Sequence, residues 1–174
     1  ADMKKLYICI LLVFALMPWQ NHNQEVYALD RDGMEYFNLG LKTTMANEKI
    51  NYFTSALDLN PGLALAYEKR GLHYYFQGKY DKVIEDFTNY IRLVPDKADA
   101  YRMLGMSYLK IGTYEKAIVN FDKAINLSPD MSAAFSYRAE AFRLNGQLNQ
   151  ALEDVEKAIA LGNDLRILSD VYRT

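Results

Sequence analysis

Little in this chain can carry covalent or metal chemistry. A single cysteine, Cys9, excludes an internal disulfide. The only two histidines, His22 and His73, stand 51 residues apart and supply no metal-ligand spacing, so His73 reads as a structural residue. No glycine-rich phosphate loop and no Gly-x-Ser-x-Gly elbow is present. Glu85 and Asp86 are adjacent, so on a helix they point apart and read as a solvated outer face rather than an acid–base pair. An excess of positive charge is missing too. With a net charge of −2 and a pI near 5.7, the chain lacks the basic footprint of a nucleic-acid binder. The expectation is a non-enzyme without cofactor, metal or nucleic acid.

A long apolar run is also lacking. The longest, residues 6–17, has twelve residues, and a membrane-crossing helix needs about 20. It follows Met3-Lys4-Lys5, and a polar stretch comes after it. That order is the plan of a secretory signal peptide, expected over residues 3–28 with Val26-Tyr27-Ala28 as the peptidase triplet. Cys9 sits within the run rather than at its end, which argues against a lipoprotein signal. Ala1 and Asp2, before Met3, are expected to be an added remnant. A cleaved leader implies export to a periplasmic or extracellular space and leaves the mature chain without a thiol. An uncleaved leader is the only route to a membrane.

What the chain has is a period of 34 residues: Pro61, Pro95 and Pro129 are spaced by it, and so are Gly78, Gly112 and Gly146. Tyr67, Tyr101 and Phe135 align in the same way, as do Gly71, Gly105 and Ala139. Val83, Ala117 and Ala151 follow, then Phe87, Phe121 and Val155. Within one unit, Tyr101, Leu104, Gly105 and Tyr108 form one face of a helix. Gly112 ends it, because glycine tolerates the left-handed cap geometry. Ala117, Ile118, Phe121, Ala124 and Ile125 form the apolar face of a second helix, which must stop before Pro129. A helix pair this short cannot bury its apolar face alone, so the pairs must stack.

These residues resemble the tetratricopeptide repeat family. The motif reads Tyr101-x-x-Leu104-Gly105-x-x-Tyr108, then Ala117, Phe121, Ala124 and Pro129, over about residues 31–163. The resemblance implies an all-α fold: a right-handed α-solenoid of about four units, 31–63, 64–97, 98–131 and 132–163. A capping helix over 164–174 follows, with Leu165, Leu168 and Tyr172 on one side. Asn163 replaces the last proline. In the first unit Gly40, rather than Phe37, matches Gly71, and about three residues are missing around Thr44 to Asn47.

The resemblance also implies a peptide-binding groove on the first helix of each pair. Periodicity and the family pattern together place Phe37, Leu41, Lys69, Leu72, Tyr75, Phe76, Arg102, Met103, Met106, Tyr137, Glu140 and Arg143 there. Leu72, Tyr75, Phe76, Met103, Met106 and Tyr137 make an apolar stripe, so the expected partner is an apolar or amphipathic peptide or protein segment. Some of these side chains could instead be core. Chaperone adaptors of the family hold a carboxylate with lysine, asparagine and arginine at set positions. Those positions here hold Glu68, Leu72, Met103, Ala133 and Tyr137, or, starting one unit earlier, Phe37, Leu41, Lys69, Asp99 and Met103, and neither set is a cationic clamp. Self-association into a homo-oligomer, with the leader packed in a groove, is the alternative function.

Overall fold

The computed structural model describes residues 31–162, and every regular element among them is an α-helix. The expected leader and capping helix lie outside the described residues. Two compact units divide between Leu63 and Ala64. The first contains α1, over residues 31–42, and α2, Ala46–Leu59. The second contains α3, Ala64–Phe76; α4, Tyr80–Leu93; α5, Ala98–Lys110; α6, Tyr114–Leu127; α7, Ser132–Leu144; and α8, Leu148–Ala160.

Local chemistry sets where these helices end. After α3, α5 and α7 the chain turns at Gly78, Gly112 and Gly146, whose φ angles are 70°, 77° and 79°. The turn after α5 closes with Thr113 N–H donating to the Tyr108 carbonyl (2.9 Å) and Gly112 N–H donating to that of Leu109 (3.1 Å). This is a Schellman cap, and it satisfies carbonyls that the helix end leaves free. After α2, α4 and α6 the chain leaves through Asn60, Val94 and Ser128, with φ of −135°, −136° and −141°. Each precedes a proline, which drives the residue before it out of helical geometry.

The hairpins α3–α4, α5–α6 and α7–α8 stack in order, with α5 packed on α4, α7 on α6, and α5 directly against α7. Close approach within a hairpin depends on a missing side chain. A Cβ added at Gly71 would lie 2.9 Å from the Phe87 ring, and at Gly105 only 2.6 Å from Phe121. Where the column holds Ala139, the facing residue is the smaller Val155. In the first unit, a Cβ on Gly40 would meet Phe53 at 2.6 Å, so Gly40 plays the role of Gly71 there. α2 begins 15 residues before Pro61, as α4 does before Pro95. The three missing residues are therefore taken from the last turn of α1, which ends two residues after Gly40.

The outer-face expectation for Asp86 is corrected. Glu85 is exposed, but the Asp86 side chain is only 1% exposed and receives two hydrogen bonds from Arg70, at 2.6 and 3.0 Å. The same columns in the third hairpin hold Arg138 and Asp154, bonded at 2.7 Å through two nitrogens. The middle hairpin holds Leu104 and Asn120 instead. Burial pushes the Asp86 carboxyl above its usual range, against the pull of Arg70. For Arg70 burial acts to lower the pKa, and the hydrogen bonds and charge of Asp86 outweigh it and hold the guanidinium charged.

Candidate functional site

In residues 64–162, α3, α5 and α7 form the inner layer. The first helix of each hairpin packs on the second helix of the hairpin before it, and that leaves one face of α3, α5 and α7 uncovered by α4, α6 and α8. Between α3 and α5 this layer opens into a cavity of about 460 Å³. Glu68 and Leu72 line it from α3, and Asp99, Arg102 and Met103 from α5, with Phe87 and Tyr90 of α4 also on its wall. The wall is mixed: apolar side chains lie between charges of both signs.

Those charges are largely paired within the molecule. Lys69 Nζ lies 3.4 Å from Glu68 Oε2, with both side chains about one-third exposed. Arg102 donates from Nε and Nη2 to Asp99 Oδ1, at 3.0 and 2.8 Å, and from Nη1 to the Met106 sulfur at 3.2 Å. Arg102 is thereby held along the edge of the cavity by its own helix, one turn in each direction.

The apolar side chains differ in how far they are covered. Phe76, at the end of α3, is 81% exposed. Tyr75 beside it is half-buried and meets the Phe76 and Tyr80 rings edge-on, with centroids 6.3 and 5.6 Å away. Leu72 is half-buried at the cavity wall, and Met103 and Met106 are buried. Tyr137 of α7 stacks on Phe121, with centroids 6.1 Å apart and planes 16° from parallel. Burial raises the pKa of Tyr75, and the electrostatic influence of Tyr137, Tyr80 and Glu140 adds to it while Arg102 opposes. The Tyr75 phenol is thus a neutral hydrogen-bonding group. Glu140 and Arg143 are half-buried on α7.

Two of the expected groove residues lie in the first unit. Phe37 is buried against Phe53, with centroids 5.6 Å apart, whereas Leu41 is half exposed. Phe87, Tyr90, Lys97, Asp99 and Ala100 line the cavity and were not among the groove residues expected. Asp99 had a legible signal, since it stands three residues before Arg102 on one helix face. Tyr90 had none, because it belongs to a second helix and reads as core.

A profile described as tetratricopeptide repeat matches residues 68–130. Similar solved structures include the second such domain of human RPAP3, in complex with the HSP70 peptide SGPTIEEVD. It shares 33% identity and a TM-score of 0.58, covering 64% of this chain and 96% of that one. The chain belongs to the tetratricopeptide repeat family. The second domain of Spaghetti (RPAP3), bound to the HSP90 peptide SRMEEVD, is 35% identical with a TM-score of 0.55 over 56% of this chain and 91% of that one. A crystal structure of MamA is 26% identical with a TM-score of 0.65, covering 78% and 77%. No curated protein matches the sequence. The repeat assignment explains the inner layer, since stacked hairpins of this family present the first helix of each pair as one surface.

Proposed function

We propose that this tetratricopeptide repeat protein is a non-catalytic scaffold that holds an apolar or amphipathic peptide or protein segment on the inner face of α3, α5 and α7. The cavity between α3 and α5 carries the reading: Leu72 and Met103 line it, and half-buried Tyr75 and the exposed ring of Phe76 follow Leu72 on α3. Apolar burial contributes roughly 25 cal/mol per Å² before ordering costs, and helix-borne aromatics lose little freedom on contact. Peptide complexes of two structural neighbours support the reading. The internal pairing of Lys69 and Arg102 separates it from a clamp that relies on free cations.

Leu72→Glu tests it. Leu72 is half-buried at the wall, so a charge there meets the ligand without entering the core, as it would at Met106. The expected result, read by fluorescence anisotropy against a panel of apolar peptides, is at least a tenfold loss of affinity with an unchanged melting temperature. Unchanged affinity would remove the inner face from the account.

A second reading, self-association, is favoured by α8. Ile84 and Ile91 on α4, and Ile118 and Ile125 on α6, are partly covered where the next hairpin packs. At the corresponding positions of α8, Leu152 and Ile159 are 52% and 49% exposed. That face is shaped to receive another helix.

A further inference from the structure

Two junctions join the three hairpins of residues 64–162, and the same columns of the repeat build them differently. At α6–α7, Tyr137 stacks on Phe121 across the junction. Arg138 of α7 also donates from Nη1 to Asp122 of α6 at 2.5 Å, with its side chain only 18% exposed. The other two nitrogens of this guanidinium hold Asp154 on α8, which fixes the plane of the fork. Both contacts are directional, so α7 cannot slide on α6 without breaking them.

At α4–α5 neither contact exists. In the register of 34 residues, Met103 stands in the place of Tyr137, Leu104 in that of Arg138, and Thr88 in that of Asp122. The Phe87 ring meets Tyr90 on its own helix instead, with centroids 6.2 Å apart. Among the described residues, no ion pair or ring contact joins α4 to α5. The inner layer repeats the contrast. α5 lies directly against α7, whereas the cavity of about 460 Å³ opens between α3 and α5. Phe87 and Tyr90 of α4 and Ala100 and Met103 of α5 all line that cavity, so the open space reaches the junction itself. Apolar side chains beside open space lose packing partners on that side. Helices joined by apolar contact alone shift against each other more easily than helices pinned by a buried ion pair.

We infer that the α4–α5 junction is a hinge: α3–α4 moves as one rigid part and α5–α8 as another, and the cavity widens and narrows as they rock. Each part is tied within itself, the first by Arg70 on Asp86 and the second by Arg138 on Asp122 and Asp154. Asp96 and Lys97, exposed between α4 and α5, are placed to absorb the backbone rotation. The hinge goes beyond the proposed function and stands without it. For a segment held on the inner face it has one consequence: the cavity adjusts its width to the guest, and a guest that fills it favours one position of the two parts.

Residual dipolar couplings of the backbone amides, measured on the full chain in a weakly aligning medium without ligand, test the hinge. The expected result is that α5, α6, α7 and α8 obey one alignment tensor, while α3 and α4 share a second of different magnitude. Thr88→Asp/Leu104→Arg/Asn120→Asp builds at α4–α5 the bonds that Arg138 makes at α6–α7, and it should bring all six helices onto one tensor. Asp122→Thr/Tyr137→Met gives α6–α7 the residues of the other junction, and it should divide α5–α6 from α7–α8. One tensor for all six helices of the wild-type chain would overturn the hinge. A division that the triple variant leaves unchanged, or a double variant whose last four helices stay undivided, would overturn it as well, since directional side-chain contacts would then not set the stiffness.

Discussion

At the scale of single residues, the pair Arg70–Asp86 shows how a buried charge is tolerated. The bidentate bond matches nearly all of the hydrogen-bonding capacity that burial takes from water, and Tyr67 and Tyr74 flank the guanidinium at 5.8 and 5.9 Å. Removing one partner leaves the other buried and alone. Arg70→Leu should therefore cost about 3–5 kcal/mol of stability by chemical denaturation. The middle hairpin supplies the control, because its columns hold Leu104 and Asn120. The double variant Arg70→Leu/Asp86→Asn should recover most of the loss. The pH dependence has a definite sign. Burial raises the folded-state pKa of Asp86, so the folded form takes up the proton before the unfolded chain does, and the penalty of the buried carboxylate grows as pH rises through that folded pKa. The deficit of Arg70→Leu should thus be larger near neutral pH than at about pH 4. A deficit independent of pH would show that the lost contact is packing rather than charge.

At the scale of helices, size complementarity sets the spacing of each hairpin. Gly105 faces Phe121, and a methyl group at residue 105 would have to displace the ring, since the contact would be 2.6 Å. Gly105→Ala should cost about 1–3 kcal/mol by overpacking. Adding Phe121→Val should relieve the clash, because Ala139 already faces Val155 in the next hairpin. Thermal melts of the single and double variants check this, and additive losses would contradict it. Arg138 acts between helices in a different way. It bonds Asp154 on α8 and, at 2.5 Å, Asp122 on α6, so one side chain ties its own hairpin to the one before.

At the scale of the whole molecule, stacked hairpins leave an end whose last helix has no successor among the described residues. Leu152 and Ile159 on α8 are where a further helix would pack. If that face joins copies of the chain, light scattering should show mass rising with concentration, and Leu152→Glu/Ile159→Glu should reduce it to that of a monomer. A single mass at all concentrations, identical in the variant, would sink self-association through this end.

The repeat length, the helix ends and the close approach of the two helices at Gly71 were legible in the amino-acid order. They depend on backbone preferences of glycine and proline and on residue sizes recurring every 34 positions. Leu72, Tyr75 and Arg102 could be placed on the inner layer by the same periodicity. Asp86 was not legible, because its neighbour Glu85 has the same charge and only a guanidinium on another helix separates their environments. Nor could periodicity show that Met103 and Met106 are buried while Phe76 stands free. Helical spacing fixes a side chain's direction on its own helix, and what meets it there depends on how adjacent helices pack.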